Sequence, residues 1–262
     1  MIQAPFTIHQ LHIEDILNPV HPSAFILEDD YNLLIVRLPS FLKEFTVTSY
    51  PFLLHKEQNY FYEREKEEFI SLGIDFQHFY KQLDACVDKV VDMLLNAHED
   101  IELYEENFHA SKMKNFLYEW HNKKKEMLYI HRLVIQAVRV MSSFITAYHE
   151  DGDFLYNEFH DILEHLERSE RSAQSALSKL DQIYKFYAMS TSDKTNQSIF
   201  YLTILSAIFL PLNLIVGFFG MNTGGLLFAE HPHGTLIVTS AMLILALFLS
   251  GIGYIYLKNK RY

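Results

Sequence analysis

Cysteine is almost absent from this 262-residue chain, which contains only Cys86. A single thiol cannot form a disulfide within the chain, and it cannot supply a metal cage built from cysteine ligands. Cys86 lies close to Leu83, Val87 and Val90 in a helical pattern, so we predict that it is a buried core residue. The cysteine usage therefore argues against a disulfide-stabilised scaffold and a cysteine-based metal centre.

Basic residues are scarce relative to acidic ones. The chain has 22 Lys and Arg against 33 Asp and Glu, which gives a formal net charge of −11. Proteins that bind nucleic acid present basic patches to the phosphates, so no nucleic-acid partner is expected. The acidic balance suits cations, although acidic residues also serve simply to keep a domain soluble.

Sequence signatures of enzymes are missing. The chain has no glycine-rich phosphate loop, nucleophile elbow or His-Glu-x-x-His motif, so we expect that it is not an enzyme. The first five residues also lack a basic region followed by an apolar run, and we expect no cleavable signal peptide.

Charge is absent from two long apolar segments near the C-terminus. Residues 199–219 and 235–257 each match the roughly 20 residues that an α-helix needs to cross a bilayer. Residues 220–234, which lie between them, are enough for a tight turn and too few for a domain. We therefore predict a membrane hairpin. The charged side chains beyond residue 196 are Glu230, Lys258, Lys260 and Arg261.

The positions of the basic residues predict the orientation of this hairpin. Lys194 precedes the first segment, Lys258, Lys260 and Arg261 follow the second, and residues 223–234 contain no Lys or Arg. Because basic residues concentrate on the cytoplasmic side, both termini are expected in the cytoplasm. We expect a multi-pass protein of the cell inner (plasma) membrane.

The rest of the chain predicts an α+β fold. Residues 1–72 read as a small cytoplasmic α/β portion with a short helix at 14–18 and strands at 32–38, 45–48, 51–55 and 59–62, punctuated by prolines. From residue 74 the apolar spacing becomes helical. We predict a cytoplasmic helical portion over 73–150, with a helix from residue 74 and further helices near 100–123 and 125–148.

A heptad-like stripe predicts a long stalk helix over 151–198. No glycine or proline interrupts residues 154–210, so we expect one helix that continues through the first apolar segment, about 95 Å in all. The alternative is two helices with a joint near 190–192, where the stripe loses register. Its members are Phe159, Leu163, Leu166, Ala173, Leu177, Leu180, Tyr184 and Tyr187, with Glu170 in the one missing position.

Polar residues form one edge of the first apolar segment, where Thr203, Ser206 and Asn213 recur at helical spacing. Such groups are costly in hydrocarbon unless they meet water or a partner. They either line an aqueous pore, which several subunits must share, or join helices by hydrogen bonds. The candidate pore residues are Asn196, Ile199, Leu202, Thr203, Ser206, Leu210, Asn213 and Gly217.

The segment ends in Gly220-Met221-Asn222, preceded by Ile-Phe-Leu-Pro-Leu at 208–212. This combination resembles the CorA family of divalent-cation transporters and channels. The likeness extends to residues 11–18, 29–31, 34–39, 83–85 and 159–165. It implies a homopentameric funnel in which the stalk continues into a pore-lining helix (199–219), followed by an external loop (220–234), a second membrane helix (235–257) and a basic cytoplasmic tail (258–262).

The resemblance also implies roles for individual residues. Asn222 would ring the outer mouth of the pore and meet hydrated Mg²⁺, which dehydrates reluctantly. Asp161 matches a cytoplasmic metal-sensing aspartate, and we assign Glu164 and His165 to the same regulatory site, where Mg²⁺ bound between subunits closes the pore. A second acidic stripe matches no ligand of the family and is predicted to be a solvated face: Asp84, Asp88 and Asp92.

The identity of the cation stays open between two branches of the family. Gly224-Gly225 resembles the zinc-associated ZntB branch, and His231 and His233 would suit zinc, whereas Met221 is retained as in magnesium members. The leading prediction is a channel for Mg²⁺, with Co²⁺ or Ni²⁺ as further cations. The alternatives are a Zn²⁺ transporter and a membrane-anchored sensor or scaffold that conducts nothing.

Overall fold

A computed structural model describes residues 5–41, 45–109, 115–221 and 231–259. The chain divides into two compact units, Met1–Tyr184 and Lys185–Tyr262. The elements are α1 (Gln10–Leu17), β1 (Ala24–Leu27), β2 (Tyr31–Phe41), β3 (Phe45–His55), β4 (Asn59–Glu63), β5 (Glu68–Gly73), α2 (Phe76–His109), α3 (Phe116–Tyr148), α4 (Tyr156–Phe219) and α5 (Gly234–Asn259).

The first unit is built on a five-stranded antiparallel sheet in the order β1-β2-β3-β4-β5. Alternate residues of a strand face opposite sides, and both faces of the central strands are covered. Leu33, Ile35 and Leu53 pack in a core cluster with α1 residues such as Ile16. On the other face Phe52 meets Phe79 of α2, with ring centroids 4.7 Å apart. The result is the predicted α+β class, with an antiparallel sheet.

Two of the predicted strands are one strand. Residues 45–48 and 51–55 both belong to β3, which passes through Pro51 without a break. Pro51 pairs with Ile35 on β2, while the pairing with β4 covers only residues 52–54. The proline is therefore tolerated at a residue where, within the described parts of the chain, only one side of β3 is paired with another strand. The sequence pattern did not predict β1 and β5, two short, partly buried edge strands without a run of buried apolar residues.

The predicted helix boundaries near residues 100 and 124 were wrong. Helix α2 runs without interruption to His109, because Ile101 and Tyr104 continue its buried stripe from Leu94 at helical spacing. Cys86 lies on this helix and is 3% exposed, as predicted. Burial raises the pKa of its thiol to about 11, so the thiol stays protonated at neutral pH.

Helix α4 is continuous through residues 190–192, as the main prediction states, and it contains Pro211 within its apolar part. The heptad prediction holds only as far as Leu180. Ser169, rather than Glu170, fills the gap in the buried stripe, and Tyr184 is 39% exposed. The buried residues of α4 are Phe159, Ile162, Leu163, Leu166, Ser169, Ala173, Ala176, Leu177, Leu180 and Ile183.

Three of the described helices are long and apolar enough to cross a membrane: α3, α4 and α5. In α3, 39% of the apolar stretch is buried inside the structure, against none in α4 and α5. The apolar face of α3 is thus used by the core of the first unit. The apolar surfaces of α4 and α5 remain available for lipid or for other subunits.

Candidate functional site

A group of carboxylates and one imidazole lies between α2 and α4. Asp84 and Asp88 stand one turn apart on α2, and their ligand atoms and those of His165 on α4 all lie within 4.8 Å of one another. Asp161, one turn before His165, lies 3.9 Å from its Nε2. Two pairs at i and i+4 on facing helices thus form one cluster. We call these four residues the Asp-His cluster.

The cluster carries more negative charge than its own residues can neutralise. The pKa of Asp84 is raised, first by burial and then by Asp88 and Asp161, while His165 and a hydrogen bond from Tyr80 act in the opposite direction. Nδ1 of His165 is buried and has no hydrogen-bond partner among the described residues. A bound cation would relieve the repulsion and use this nitrogen.

The donor set is mixed. Carboxylate oxygens suit Mg²⁺, whereas an imidazole nitrogen suits Co²⁺, Ni²⁺ and Zn²⁺. Glu164 is not part of the cluster, because its carboxylate lies 3.8 Å from Nε2 of His160 instead.

The interpretation of the α2 acidic stripe as a solvated face is wrong for Asp84, which is partly buried, whereas Asp88 and Asp92 are exposed. The signal that could have revealed the cluster is the matching i, i+4 spacing on the two helices.

In the second unit, the predicted pore edge of α4 is uncovered. All eight candidate pore residues, from Asn196 to Gly217, are exposed within the described part of the chain. The partly buried side chains of α4 form a different stripe, which includes Ile204. A Cβ added at Gly253 of α5 would lie 3.3 Å from Cγ2 of Ile204, so the two helices approach closely there.

Helix α4 ends at Phe219, directly before Gly220-Met221-Asn222, which we call the signature tripeptide. The N–H of Gly220 donates to the carbonyl of Val216 at 2.8 Å, and a Cβ at Gly220 would lie only 3.0 Å from the same oxygen. Glycine therefore suits this tight end of the helix. Met221 is 48% exposed. Asn222 lies outside the described residues, as do Gly224, Gly225, Glu230, Lys260 and Arg261, together with the side chain of Lys258.

The two loop histidines are described. His231 and His233 are both exposed, with ring centroids 6.2 Å apart. The backbone N–H of His233 donates to Nδ1 of His231 at 3.2 Å. This contact occupies one ring nitrogen of His231 with a local hydrogen bond.

The fold and these groups define a membrane-protein class with an α+β unit, a helix that leads into an apolar hairpin, and carboxylates gathered around an imidazole. A family model described as CorA-like Mg²⁺ transporter protein matches residues 1–258. The chain belongs to the CorA family. This is a family of transporters, which confirms the prediction that the protein is not an enzyme.

Relatives support the same assignment. The cobalt/magnesium transport protein CorA of Thermotoga maritima is 24% identical over 187 residues, covering 70% of this chain and 51% of the relative. The match thus spans about half the length of that curated relative.

Solved structures show the fold. The complete CorA magnesium transporter of Methanocaldococcus jannaschii matches with a TM-score of 0.78 and 17% identity, covering 94% of this chain and 82% of that one. The ZntB cytoplasmic domain of Vibrio parahaemolyticus matches with a TM-score of 0.54 and 12% identity, covering 71% and 80%. At these identities the likeness concerns architecture and does not identify the cation.

Proposed function

We propose that the protein is a divalent-cation channel of the CorA type that carries Mg²⁺, with Co²⁺ and Ni²⁺ as further cargo. The observation that carries this proposal is the uncovered polar edge of α4, which ends at the signature tripeptide in a member of the CorA family. A lone hairpin in lipid would leave Asn213 and Ser206 in hydrocarbon at considerable cost. Several copies that turn this edge toward a common axis would place it in water.

In the proposed homopentamer, rings of side chains from the five subunits would contact the hydrated cation. Mg²⁺ keeps its water shell, so neutral amides at Asn222 and Asn213 can bind the waters without stripping them. Ile199, Leu202 and Leu210 are 56%, 61% and 67% exposed along the same edge. As rings in a multimer they would form apolar constrictions of the kind that gate by dewetting.

The Asp-His cluster is the proposed regulatory cation site in the cytoplasm. Bound Mg²⁺ would hold Asp84 and Asp88 of α2 close to Asp161 of α4 and stabilise the closed state. Loss of the cation would leave like charges facing one another and favour opening. Glu164, outside the cluster, remains available to a cation shared with a neighbouring subunit. In this arrangement both termini are cytoplasmic and the loop after α4 is external.

Transport of Zn²⁺ is a second candidate function. The imidazole of His165 in the cluster favours it, because imidazole is a common zinc ligand. Parallel uptake of Mg²⁺ and Zn²⁺ into the same vesicles, with and without a pH gradient, separates the two candidates. Uptake selective for Zn²⁺ would reverse their order.

Purified protein in liposomes tests the channel itself. Mg²⁺ flux is expected in the wild type and is expected to fall strongly in Asn222→Ala, which removes the amide at the proposed mouth. Thr239→Ala, which removes a polar group on α5 that hydrogen-bonds within its own helix, is the matched control. Unchanged flux in Asn222→Ala contradicts the assigned role, and a dimer in detergent by mass measurement contradicts the shared pore.

A further inference from the structure

Helices α2 and α4 run side by side in the same direction. Their polar contacts pair residues whose numbers rise together along both helices, which is the signature of a parallel alignment. The pairs are Asp88 with His165 at 3.9 Å, His98 Nε2 with Ser172 Oγ at 2.9 Å, and Glu105 with Lys179 at 2.7 Å.

Helix α3 contacts α4 just after Lys179, the last residue of α4 in these pairs. The ring of Trp120 stacks on Tyr184 with centroids 4.5 Å apart, and its Nε1–H donates to the carbonyl of Leu180 at 2.9 Å. Nζ of Lys124 lies 2.6 Å from Oδ1 of Asp181 and 5.1 Å from the centroid of the Trp120 ring. We call these five residues the Trp120 clamp.

The two ends of the α4 contact differ in their electrostatics. At the Asp-His cluster, carboxylates of α2 face a carboxylate of α4, so the contact is repulsive without a cation. At the clamp and at Lys179, opposite charges hold α4 to its neighbours. His165 and Asp181 are separated by about 24 Å along the helix axis. Helix α4 then continues unbroken from Tyr184 to Phe219.

We propose that Trp120 is a positioning residue, and that the clamp is the fulcrum about which α4 pivots when a cation enters or leaves the Asp-His cluster. Among the described residues, the buried side chains of α4 end at Ile183, so the clamp is the last attachment of this helix to the first unit. A tilt of α4 that starts at the cluster is therefore passed on as a movement of the part of the helix that follows Tyr184. This inference rests on the proposed function, because it concerns the regulation of that channel.

The experiment uses the full chain in liposomes, with Mg²⁺ present or absent on the side of the first unit. The measured quantity is the flux ratio, which is the divalent-cation flux without Mg²⁺ on that side divided by the flux with it. Trp120→Ala is expected to shrink this ratio by at least about fivefold, the lower range of allosteric coupling. The rise in melting temperature on Mg²⁺ addition, which reports binding at the cluster, is expected to persist. Tyr118→Ala, a 70% exposed aromatic on the same helix, is the control and should keep the ratio.

Two milder variants cover the case in which Trp120→Ala does not fold. Trp120→Phe keeps an aromatic ring and removes the Nε1–H donor, and Lys124→Gln removes the ion pair with Asp181. Each is expected to reduce the flux ratio. A wild-type ratio in both would overturn the fulcrum. If the wild type passes no divalent cation at all, the proposed function fails and the fulcrum falls with it, which is a different result.

Fluorescence gives a readout that does not depend on transport. Trp120 is the only tryptophan of the chain. A fulcrum stays closed in both states, so the emission maximum of the wild type should be the same with and without Mg²⁺. A cation-dependent shift in that maximum would show that the clamp itself opens, and would overturn its role as a fixed point.

Discussion

The imidazole of His165 on α4 lies 3.9 Å from the carboxylate of Asp88 on α2. This contact brings together two helices that are far apart in the chain, and it places the imidazole among carboxylates of both helices. The group of three possible ligands draws two carboxylates from α2 and the imidazole from α4. The helix packing thus creates the candidate regulatory site.

Removing one carboxylate from the cluster should change the pH dependence of stability. The pKa of Asp84 is raised in the folded protein, so the folded state holds this proton more tightly than the unfolded chain does. Without a cation, stability should therefore rise as pH falls from the raised pKa toward the ordinary value of about 3.9. Asp84→Asn abolishes this titration and should make the cation-free protein more stable at neutral pH than the wild type.

Melting curves across pH, with and without Mg²⁺, check this prediction. The variant should also lose part of the stabilisation that Mg²⁺ confers. Asp92→Asn changes an exposed carboxylate on the same α2 stripe, outside the cluster, and should behave like the wild type. A cation-free Asp84→Asn protein that is less stable at neutral pH would contradict the electrostatic argument.

The aromatic core of the first unit predicts a large cost for a single truncation. Phe159 is fully buried, stacked on Phe154 at 4.9 Å and 5.2 Å from the ring of Phe79. Phe159→Ala should lower the free energy of unfolding by about 3–5 kcal/mol through lost burial and a cavity. Urea unfolding followed by circular dichroism measures it. Tyr156→Ala, at a 45% exposed position, should cost far less, and equal losses would argue against this core.

The close approach of the two apolar helices predicts a sensitive glycine. At Gly253 an added Cβ meets Ile204 at 3.3 Å, whereas nothing lies within 4 Å of a Cβ at Gly251. Gly253→Val should therefore destabilise the hairpin by about 1–3 kcal/mol through overpacking. Thermal unfolding in detergent compares it with Gly251→Val, which should be tolerated. The reverse order would mean that the helices pack through another face.

The uncovered edge of α4 predicts a strong effect on transport when Asn213 is replaced. Asn213→Leu removes an amide that would contact the water shell of a passing cation, and Mg²⁺ flux should fall by about tenfold, equivalent to about 1.4 kcal/mol in the barrier. Leu214→Met, at a 74% exposed apolar position beside it, should leave the flux unchanged. Wild-type flux in Asn213→Leu would place the ion path elsewhere.

Periodicity predicted the long elements well and their boundaries poorly. The continuity of α4 follows from an uninterrupted helical pattern, but the end of α2 was misplaced because Ile101 and Tyr104 continue a stripe that looked complete at Leu94. Pro51 looked like a strand break because the sequence does not show that β3, among the residues that the structure describes, is paired on only one side at that position. The edge strands β1 and β5 bury too little to leave an apolar pattern.

The amino-acid sequence was sufficient to predict the features that depend on local pattern. These are the acidic balance, the two membrane-length segments, the polar edge of the first segment and the tripeptide that ends it. The gathering of Asp84 and Asp88 with His165 could not be predicted in this way, because it arises from the packing of α2 against α4. Hydropathy and helix spacing concern residues that are close together in the chain. Charge repulsion and ligand geometry depend instead on distances in the folded structure.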